Sequence, residues 1–473
     1  MMLAADVCQR ALRARDARFD GIFFVGITTT GIYCRPVCPS RSADPHHRRF
    51  FESAAAAEHD GFRPCLRCRP ELAPGRALCD AVPRLARVAT HRIGAGALNG
   101  HGVAQLAREL GVSDRHLRRA LEREIGVSPL ALAQTHRLLL AKRLLADTRL
   151  PVTRIAYASG FQSLRRFNAL FRERYRMSPS ALRPRRNGGK PDDDVVRLTL
   201  AYRPPLAWEL LTTFIGADAL PDVEELEGGR YGRAVRLDGR SGVVFASNVP
   251  DEAHLVVDVS PGLLPVLMPL LARLRHLFDL DAEPTVIDGT LTQGGLGSLV
   301  RQRGGVRIPG CFDGFEAALR TLLRGRRTAH RVVRTLGEAI ETGIPALTRL
   351  TPTPERVAEA GMGRLTALGV ARPRAAALVG IANAILGGTL RLDPGGDIAA
   401  TRRALREIDS VSDRLATTIV MRALYWPDAF PASDPGLQRA AGASSTAELH
   451  AQAERWRPWR AYAAVHLWSA GGR

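Results

Sequence analysis

Cysteine is the residue type whose spacing in this chain most plainly suggests chemistry. Six of the seven cysteines lie in the first 80 residues, and four of them form two close pairs, Cys34-x3-Cys38 and Cys65-x2-Cys68. Soft thiolate ligands in paired arrangement suit tetrahedral zinc. A cluster of thiolates needs cationic surroundings, which neighbouring arginines would supply: Arg35, Arg41, Arg63, Arg67 and Arg69. The spacing predicts a zinc site that either staples a small domain or holds a reactive sulfur.

The strings around these ligands favour the reactive sulfur. DGIFFVGITTTGIYCRPVCPSR and FRPCLRCRPE closely resemble the metal-binding domain of the Ada family of DNA alkylation-response proteins, over about the first 80 residues. The resemblance implies that Cys34 takes a methyl group from a DNA phosphotriester. Alkylation would lower the negative charge of the cluster and weaken its repulsion by DNA phosphates, so methylation would act as an electrostatic switch. A zinc-stapled DNA-binding protein without methyl transfer stays open as an alternative.

The overall charge favours a polyanionic partner. The chain has 67 basic and 47 acidic residues, a formal charge of +20, and all its basic residues except Lys142 and Lys190 are arginine. Arginine suits bidentate contacts to phosphates and base edges, so we expect double-stranded DNA as partner. The first segment lacks the apolar stretch of a signal peptide, and no apolar run is long enough to span a bilayer. We therefore expect a cytoplasmic protein with reduced thiols and no membrane contact.

Residues 101–183 contain an internal repeat at an offset of 50. In each copy a glycine turn precedes a serine, Ser113 or Ser163, that can cap a second helix. Arginines on these second helices are predicted to enter the major groove: Arg115, Arg118, Arg119, Arg165 and Arg166. A solvated basic face is the plainer alternative. The string VTRIAYASGFQSLRRFNALFRERYRMSPSALR resembles the DNA-binding domain of the AraC family, which implies two helix-turn-helix units on successive grooves and adds RNA polymerase as a possible partner.

The carboxyl half carries a third resemblance. LAYRPPLAWELL, VRIPGCFDGFEAALRTLL, and WPDAFPASD with AERWRPWRAYAAVHLW resemble the AlkA family of methylated-base DNA glycosylases, in the helix-hairpin-helix superfamily. This implies that the Asp434 carboxylate supports base loss through an oxocarbenium-like transition state, and that Trp468 stacks on the alkylated base. Taken alone, Asp434 is typical of a turn or helix cap, and Trp468, Trp456 and Trp459 are typical of a core.

Several positions depart from the pattern of that family. The hairpin reads DSVS, with Ser410 and Ser412 in place of two glycines that let the backbone approach a DNA phosphate. The aromatic residues that usually follow and line the pocket correspond to Leu415 and Ile419, and the strip at 324–327 reads RGRR. We expect a weaker grip on DNA and a less aromatic pocket.

Residues and strings that are missing from the sequence limit which reactions the carboxyl half can perform. No lysine follows Lys190, so a Schiff-base lyase step is excluded and a monofunctional glycosylase is implied. Cys311 is the only cysteine in this half, so an iron–sulfur cluster cannot be built. The PCHR string of the second Ada methyl-acceptor domain is missing.

Together these features predict a multidomain α+β protein, mostly α. The expected parts are an Ada-like zinc domain at 1–80, an AraC-like double helix-turn-helix domain at 81–186, a linker at 187–194, an AlkA N-terminal-like α/β domain at 195–305 and a helix-hairpin-helix glycosylase-like domain at 306–473. The predicted function is excision of alkylated purines such as 3-methyladenine, fused to a methyl-phosphotriester sensor and a sequence-specific DNA-binding module. The alternative is a methylation-activated transcription regulator whose glycosylase-like half is weak or inactive. The two hairpin serines favour this alternative, whereas Asp434 and Trp468 favour the enzyme.

Overall fold

The computed structural model describes residues 3–40, 43–75, 84–183, 195–323 and 325–471. The chain divides into two compact units, Met1–Arg203 with His254–Ala272, and Pro204–Ala253 with Arg273–Arg473. The linker predicted at 187–194 lies outside the described residues. Helices predominate in both units, and each unit also contains β-strands, so the predicted multidomain, mostly α class is confirmed.

The first unit begins with helix α1 (Ala5–Ala14) and a small four-stranded sheet. Its strands are β1 (Phe24–Ile27), β2 (Ile32–Cys34), β3 (Arg48–Phe51) and β4 (Arg63–Pro64), in the spatial order β3-β1-β2-β4. Strands β2 and β4 run parallel, so their carboxyl ends meet at the same edge of the sheet. Helix α2 (Ala54–His59) covers a core of aromatic side chains that meet edge to face.

Six helices follow in the same unit: α3 (Arg84–Gly94), α4 (Val103–Glu109), α5 (Asp114–Ile125), α6 (Pro129–Asp147), α7 (Val152–Ala158) and α8 (Leu164–Tyr175). Ser113 caps α5 by accepting from the backbone N–H of His116 at 3.2 Å, and Ser163 caps α8 by accepting from Arg166 at 3.3 Å. The pairs α4–α5 and α7–α8 therefore form the two predicted helix-turn-helix units, and α6 connects them. Strand β5 (Val196–Ala201) then pairs antiparallel with β9 (His254–Val259).

The second unit combines an antiparallel meander with a helical part. The meander consists of β6 (Glu224–Glu227), β7 (Arg230–Leu237) and β8 (Arg240–Val249), and helix α9 (Trp208–Ala217) precedes it. A buried charge cluster joins this sheet to the helices, because Arg233 donates to Glu316 at 2.7 Å while both side chains are almost fully buried. Such clusters hold only where every charge has a partner.

The remaining helices build the carboxyl-terminal half: α10 (Leu267–Leu277), α11 (Pro284–Leu291), α12 (Gly297–Gln302), α13 (Gly314–Leu322), α14 (Arg326–Leu336), α15 (Pro354–Ala367), α16 (Arg372–Leu386), α17 (Ile398–Arg406), α18 (Asp413–Ala423), α19 (Pro435–Ala441), α20 (Thr446–Ala453) and α21 (Arg460–Ala470). Trp456 and Trp459 are buried, and the Trp456 indole donates to the Gly294 carbonyl at 3.0 Å, as expected of core residues. Within the described ranges, no helix combines the length and the apolar character needed to cross a bilayer.

Candidate functional site

The parallel pairing of β2 with β4 brings the two cysteine pairs together. Cys34 ends β2 and Cys65 directly follows β4, and the backbone N–H of Cys65 donates to the Tyr33 carbonyl at 3.0 Å. The sulfurs of Cys34, Cys38, Cys65 and Cys68 all lie within 4.8 Å of one another. Four soft donors at this separation match the ligand set of tetrahedral zinc.

The chemistry of the four thiols also requires a cation. Hydrogen bonding with Cys38 raises the pKa of Cys34, whereas hydrogen bonding with Cys34 lowers the pKa of Cys38 and brings that of Cys65 to about 6. The sulfurs therefore compete for protons, and only a bound cation lets all of them ionise together. The cluster is a zinc site, and bound zinc keeps its ligands as thiolates at neutral pH.

Exposure distinguishes one of the four cysteine residues from the other three. Cys38, Cys65 and Cys68 are buried, whereas Cys34 is only partly buried. Arg35, next to Cys34, is held by a salt bridge to Asp20, and its backbone N–H donates to the Cys68 sulfur at 3.4 Å. Of the four cysteines, Cys34 is therefore the residue with the largest exposed fraction.

The arginines beside the ligands do not all face the cluster. Arg69 bonds Glu71 at 3.0 Å and Asp147 at 2.8 Å, and Arg67 is exposed. Arg41 lies outside the described residues. Arg69, one of the arginines predicted to surround the cluster with positive charge, therefore forms ion pairs with acidic side chains instead.

A set of buried polar contacts ties the zinc-bearing segment to helix α6, and the sequence analysis missed it. Lys142 on α6 forms a buried ion pair with Glu71, and its ammonium also donates to the carbonyl of the zinc ligand Cys65 at 3.4 Å. Thr135 on α6 donates to Glu58 at 3.0 Å. Burial raises the pKa of Glu58 to about 7, against the effect of its hydrogen bonds. The sequence has only one other lysine, Lys190, and this rarity is the one feature that could have drawn attention to Lys142.

The five arginines predicted to enter DNA grooves all lie on α5 or α8, the second helices of the two units. Four of them are exposed: Arg115, Arg119, Arg165 and Arg166. Arg118 differs, because it donates to Asp114 one turn earlier on α5 at 2.9 Å. Its charge is therefore partly neutralised before any DNA arrives.

In the second unit, Asp434 and Trp468 line one cavity of about 680 Å³. Asp434 caps α19 by accepting from the backbone N–H groups of Gly436 and Leu437 at 3.0 and 3.1 Å. The same oxygen accepts from the Trp468 indole at 3.2 Å, and the other accepts from Arg414 at 3.1 Å. Burial raises the pKa of Asp434, but the hydrogen bonds from Trp468, the backbone and Arg414 outweigh it, so the net pKa is lowered. The carboxylate is fixed and ionised.

Helix α18 contributes one wall of the cavity, but one of the two residues expected to line the pocket, Ile419, does not line it. Arg414, Leu415 and Thr418 line the cavity, whereas Ile419 is fully buried in the helical core. Ile419 lies one turn after Leu415 on the same side of α18, but its side chain is fully buried in the core and is not among the lining residues. Phe214 and Trp468 are the aromatic residues among the described lining residues.

The hairpin between α17 and α18 holds the two serines. Ser410 is exposed with φ 65°, a left-handed conformation that favours glycine, and Ser412 caps α18 by accepting from Leu415 at 3.3 Å. In the strip at 324–327, Arg324 lies outside the described residues, while Arg326 is exposed and lines the cavity.

Three family models match the chain, in the order expected from its strings. Residues 7–71 match the metal-binding domain of Ada, residues 106–185 match a helix-turn-helix domain, and residues 197–313 match the AlkA N-terminal domain. Fold and sites thus define a fusion of an Ada-type zinc domain and a helix-turn-helix region with an AlkA-type half.

Known proteins are similar to the whole of this chain or to parts of it. The probable bifunctional transcriptional activator/DNA repair enzyme AlkA of Mycobacterium tuberculosis is 37% identical over 98% of this chain and 95% of its own length. DNA-3-methyladenine glycosylase 2 of Escherichia coli is 33% identical over 58% of this chain and 97% of its own length. The bifunctional Ada enzyme of Escherichia coli is 32% identical over 28% of this chain and 37% of its own length. The chain belongs to the family of bifunctional transcriptional activator/DNA repair AlkA proteins.

Proposed function

We propose that this protein repairs alkylated DNA by releasing damaged bases and, through its zinc domain, couples damage to DNA binding by its helix-turn-helix units. The observation that carries the glycosylase half is the contact between Asp434 and Trp468 at 3.2 Å inside one cavity of about 680 Å³. A cavity of that size accommodates a flipped nucleotide. DNA is the partner, and alkylated purines such as 3-methyladenine are the proposed substrates.

In the proposed reaction, Asp434 stabilises charge that develops during bond breaking. As the bond between the base and C1′ breaks, its electron pair leaves with the base and the sugar becomes oxocarbenium-like. The ionised carboxylate, held by its N–H donors, stabilises that cation without reorganising. Water then adds to C1′ and gives up a proton to solvent. Trp468 offers a π surface to the base, and the absence of lysine after Lys190 leaves the reaction without a lyase step.

The test is base release from duplex DNA carrying a methylated purine, comparing wild type with Asp434→Asn. The Asn side chain still caps α19, so this variant removes charge while keeping the fold. Asp251→Asn, at an exposed site, is the matched control. We expect release to vanish only in Asp434→Asn. Equal release by all three proteins would refute the role of Asp434.

For the zinc domain we propose that the Cys34 sulfur attacks the methyl carbon of a DNA methyl-phosphotriester. The new S–C bond replaces the C–O bond, and the phosphodiester leaves as an anion. The partial exposure of the Cys34 residue beside three buried cysteines supports this choice. Mass spectrometry should find one methyl group on wild type and on Cys8→Ser, and none on Cys34→Ser with zinc retained. Transfer at the wild-type level in Cys34→Ser would exclude the assignment.

The remaining assignments extend this proposal. We place the domains at 1–80, 81–186, 195–305 and 306–473, with a linker at 187–194. Reduced thiols in the zinc cluster fit the cytoplasm, where we place the protein. At its promoters, the helix-turn-helix region would contact RNA polymerase. Transcription in a purified system, with methylated and unmethylated protein, tests that contact.

A second function is favoured by the hairpin and the cavity. Ser410 occupies a conformation that suits glycine, and Arg414 pairs with the carboxylate assigned to catalysis. These features support a methylation-activated regulator whose glycosylase half is weak. Intact DNA binding without base release by wild type would establish this alternative.

A further inference from the structure

We propose that Arg414 binds a phosphate of the flipped nucleotide and that Asp434 holds this side chain only until DNA enters, an inference that rests on the proposed glycosylase function. Arg414 lines the cavity and donates to Asp434 at 3.1 Å. Its side chain is 33% exposed, so a ligand can reach the guanidinium. When the guanidinium moves to the phosphate, the carboxylate becomes free to act on the sugar.

The two oxygens of Asp434 are held in different ways. Oδ1 accepts from the backbone N–H groups of Gly436 and Leu437 and from the Trp468 indole. Oδ2 accepts from Arg414. The three donors on Oδ1 keep the carboxylate in place when Arg414 leaves, because the helix cap does not depend on Oδ2. Oδ2 is then the oxygen available to the positive charge that develops on C1′.

The position of Arg414 on α18 is unfavourable for the helix itself. It lies in the first turn, directly after Asp413, the first residue of the helix. Positive charge at this end opposes the helix dipole, whereas an acidic residue such as Asp413 suits it. Helix stability therefore gives no reason for an arginine at this position, whereas a negatively charged ligand in the cavity does.

The proposed substrate brings phosphates to this side chain. Asp434 is proposed to act on C1′ of the sugar, and Arg414 contacts Asp434 directly. The phosphates on the 3′ and 5′ oxygens of the same sugar therefore come close to the Arg414 guanidinium. A phosphate offers two oxygens that fit the guanidinium fork, whereas the contact with Asp434 uses only Oδ2. A bound nucleotide therefore competes with Asp434 for Arg414.

Two other arginines of the lining cannot make this exchange. Arg320 and Arg422 are almost fully buried and pair with Asp218. Moving either of them to a phosphate would leave a partly buried carboxylate without its partners. The partial exposure of Arg414 and its single contact with Oδ2 of Asp434 impose no such cost.

The experiment is a double-mutant cycle on DNA binding by the full-length protein. The probe is a duplex with one tetrahydrofuran abasic site, which keeps the phosphates and has no base. Affinity is expressed relative to the same duplex without that site, so that binding by the helix-turn-helix units cancels. The four proteins are wild type, Arg414→Met, Asp434→Asn and the double variant. Because only the wild type has to break the pair, Asp434→Asn should raise this relative affinity about threefold more in the wild-type background than in Arg414→Met.

Base release from a methylated purine under single-turnover conditions gives a second measure. Arg414→Met should need more protein for half-maximal release and should release base more slowly at saturation, because the sugar is held less firmly. An Arg414 that stayed on Asp434 in the complex would predict faster release in Arg414→Met. The matched control is Arg439→Met, which removes an exposed arginine from the same lining. Its cycle with Asp434→Asn should show equal effects in both backgrounds.

Three results decide against the proposal. If wild type releases base and Asp434→Asn has equal effects with and without Arg414, this inference alone is overturned. Faster release by Arg414→Met, or an equally large coupling in the Arg439→Met cycle, would overturn it as well. Failure of wild type to release any base would overturn the glycosylase function and this inference with it.

Discussion

Replacing Lys142 with methionine should destabilise the first unit strongly. Lys142 and Glu71 are 2% and 1% exposed, so the substitution leaves a buried carboxylate without its main partner. Breaking a buried pair from one side costs about 3–5 kcal/mol. Arg69 still donates to Glu71 at 3.0 Å, which places the expected loss near the lower end, about 3 kcal/mol. For a unit of this size, the melting temperature should fall by roughly 6–12 °C.

Calorimetry of the zinc-loaded, full-length protein measures this loss. The transition that responds to zinc removal identifies the first unit, and only that transition should shift in Lys142→Met. The double variant Lys142→Met with Glu71→Leu replaces both charges by apolar groups and should recover most of the loss. Since the Lys142 ammonium donates to the Cys65 carbonyl, Lys142→Met should also release zinc to a chelator faster.

Two results would refute this reasoning. A wild-type melting temperature in Lys142→Met would show that the pair contributes no net stability. A double variant as unstable as the single one would show that the loss comes from packing and not from the stranded carboxylate.

Three further predictions concern single residues. The pKa of Glu58, about 7, exceeds its ordinary value of 4.5, so the contribution of protonated Glu58 to the free energy of unfolding is present at low pH and is lost as pH rises through 7. The free energy of unfolding should fall by roughly 1.4 kcal/mol between pH 6 and 8 for this reason. Chemical denaturation of Glu58→Gln should not show this fall. Ser410→Gly should stabilise the hairpin by about 1 kcal/mol and tighten DNA binding in an anisotropy assay, because φ 65° costs serine more than glycine; weaker binding would contradict this. Arg165→Ala should lower the slope of log affinity against log salt by about one, while Arg118→Ala, already paired with Asp114, should change it less; equal slopes in both variants would count against the groove assignment.

The sequence predicted the parts of this protein whose signals are local. Each cysteine pair fixes its own spacing within a short turn, and the parallel pairing of β2 with β4 then brings the four sulfurs together. The repeat at an offset of 50 predicted Ser113 and Ser163 as caps, because a cap depends only on the next three residues. The pairing of Asp114 with Arg118, opposite charges four residues apart on a helix, was not predicted although its signal is just as local.

What the sequence did not predict depends on contacts between distant segments. Lys142 meets Glu71 across 71 positions of the chain, and nothing near either residue signals that contact. The resemblance placed Ile419 with the pocket, whereas its burial depends on the neighbours that pack over that turn of α18, which no local signal gives. Nor does any local signal give the contact between Arg414 and Asp434, which lie 20 positions apart.

The double duty of Asp434 has a consequence for how this family can be read from alignments. Its carboxylate caps α19 as well as lining the cavity, so folding alone selects for a capping residue at this position. A descendant that lost base excision would still be under pressure to keep Asp, Asn or Ser there. Loss of the enzyme activity would therefore show first at Trp468, whose place in the cavity contributes no helix cap, and this position is the better marker of a working active site.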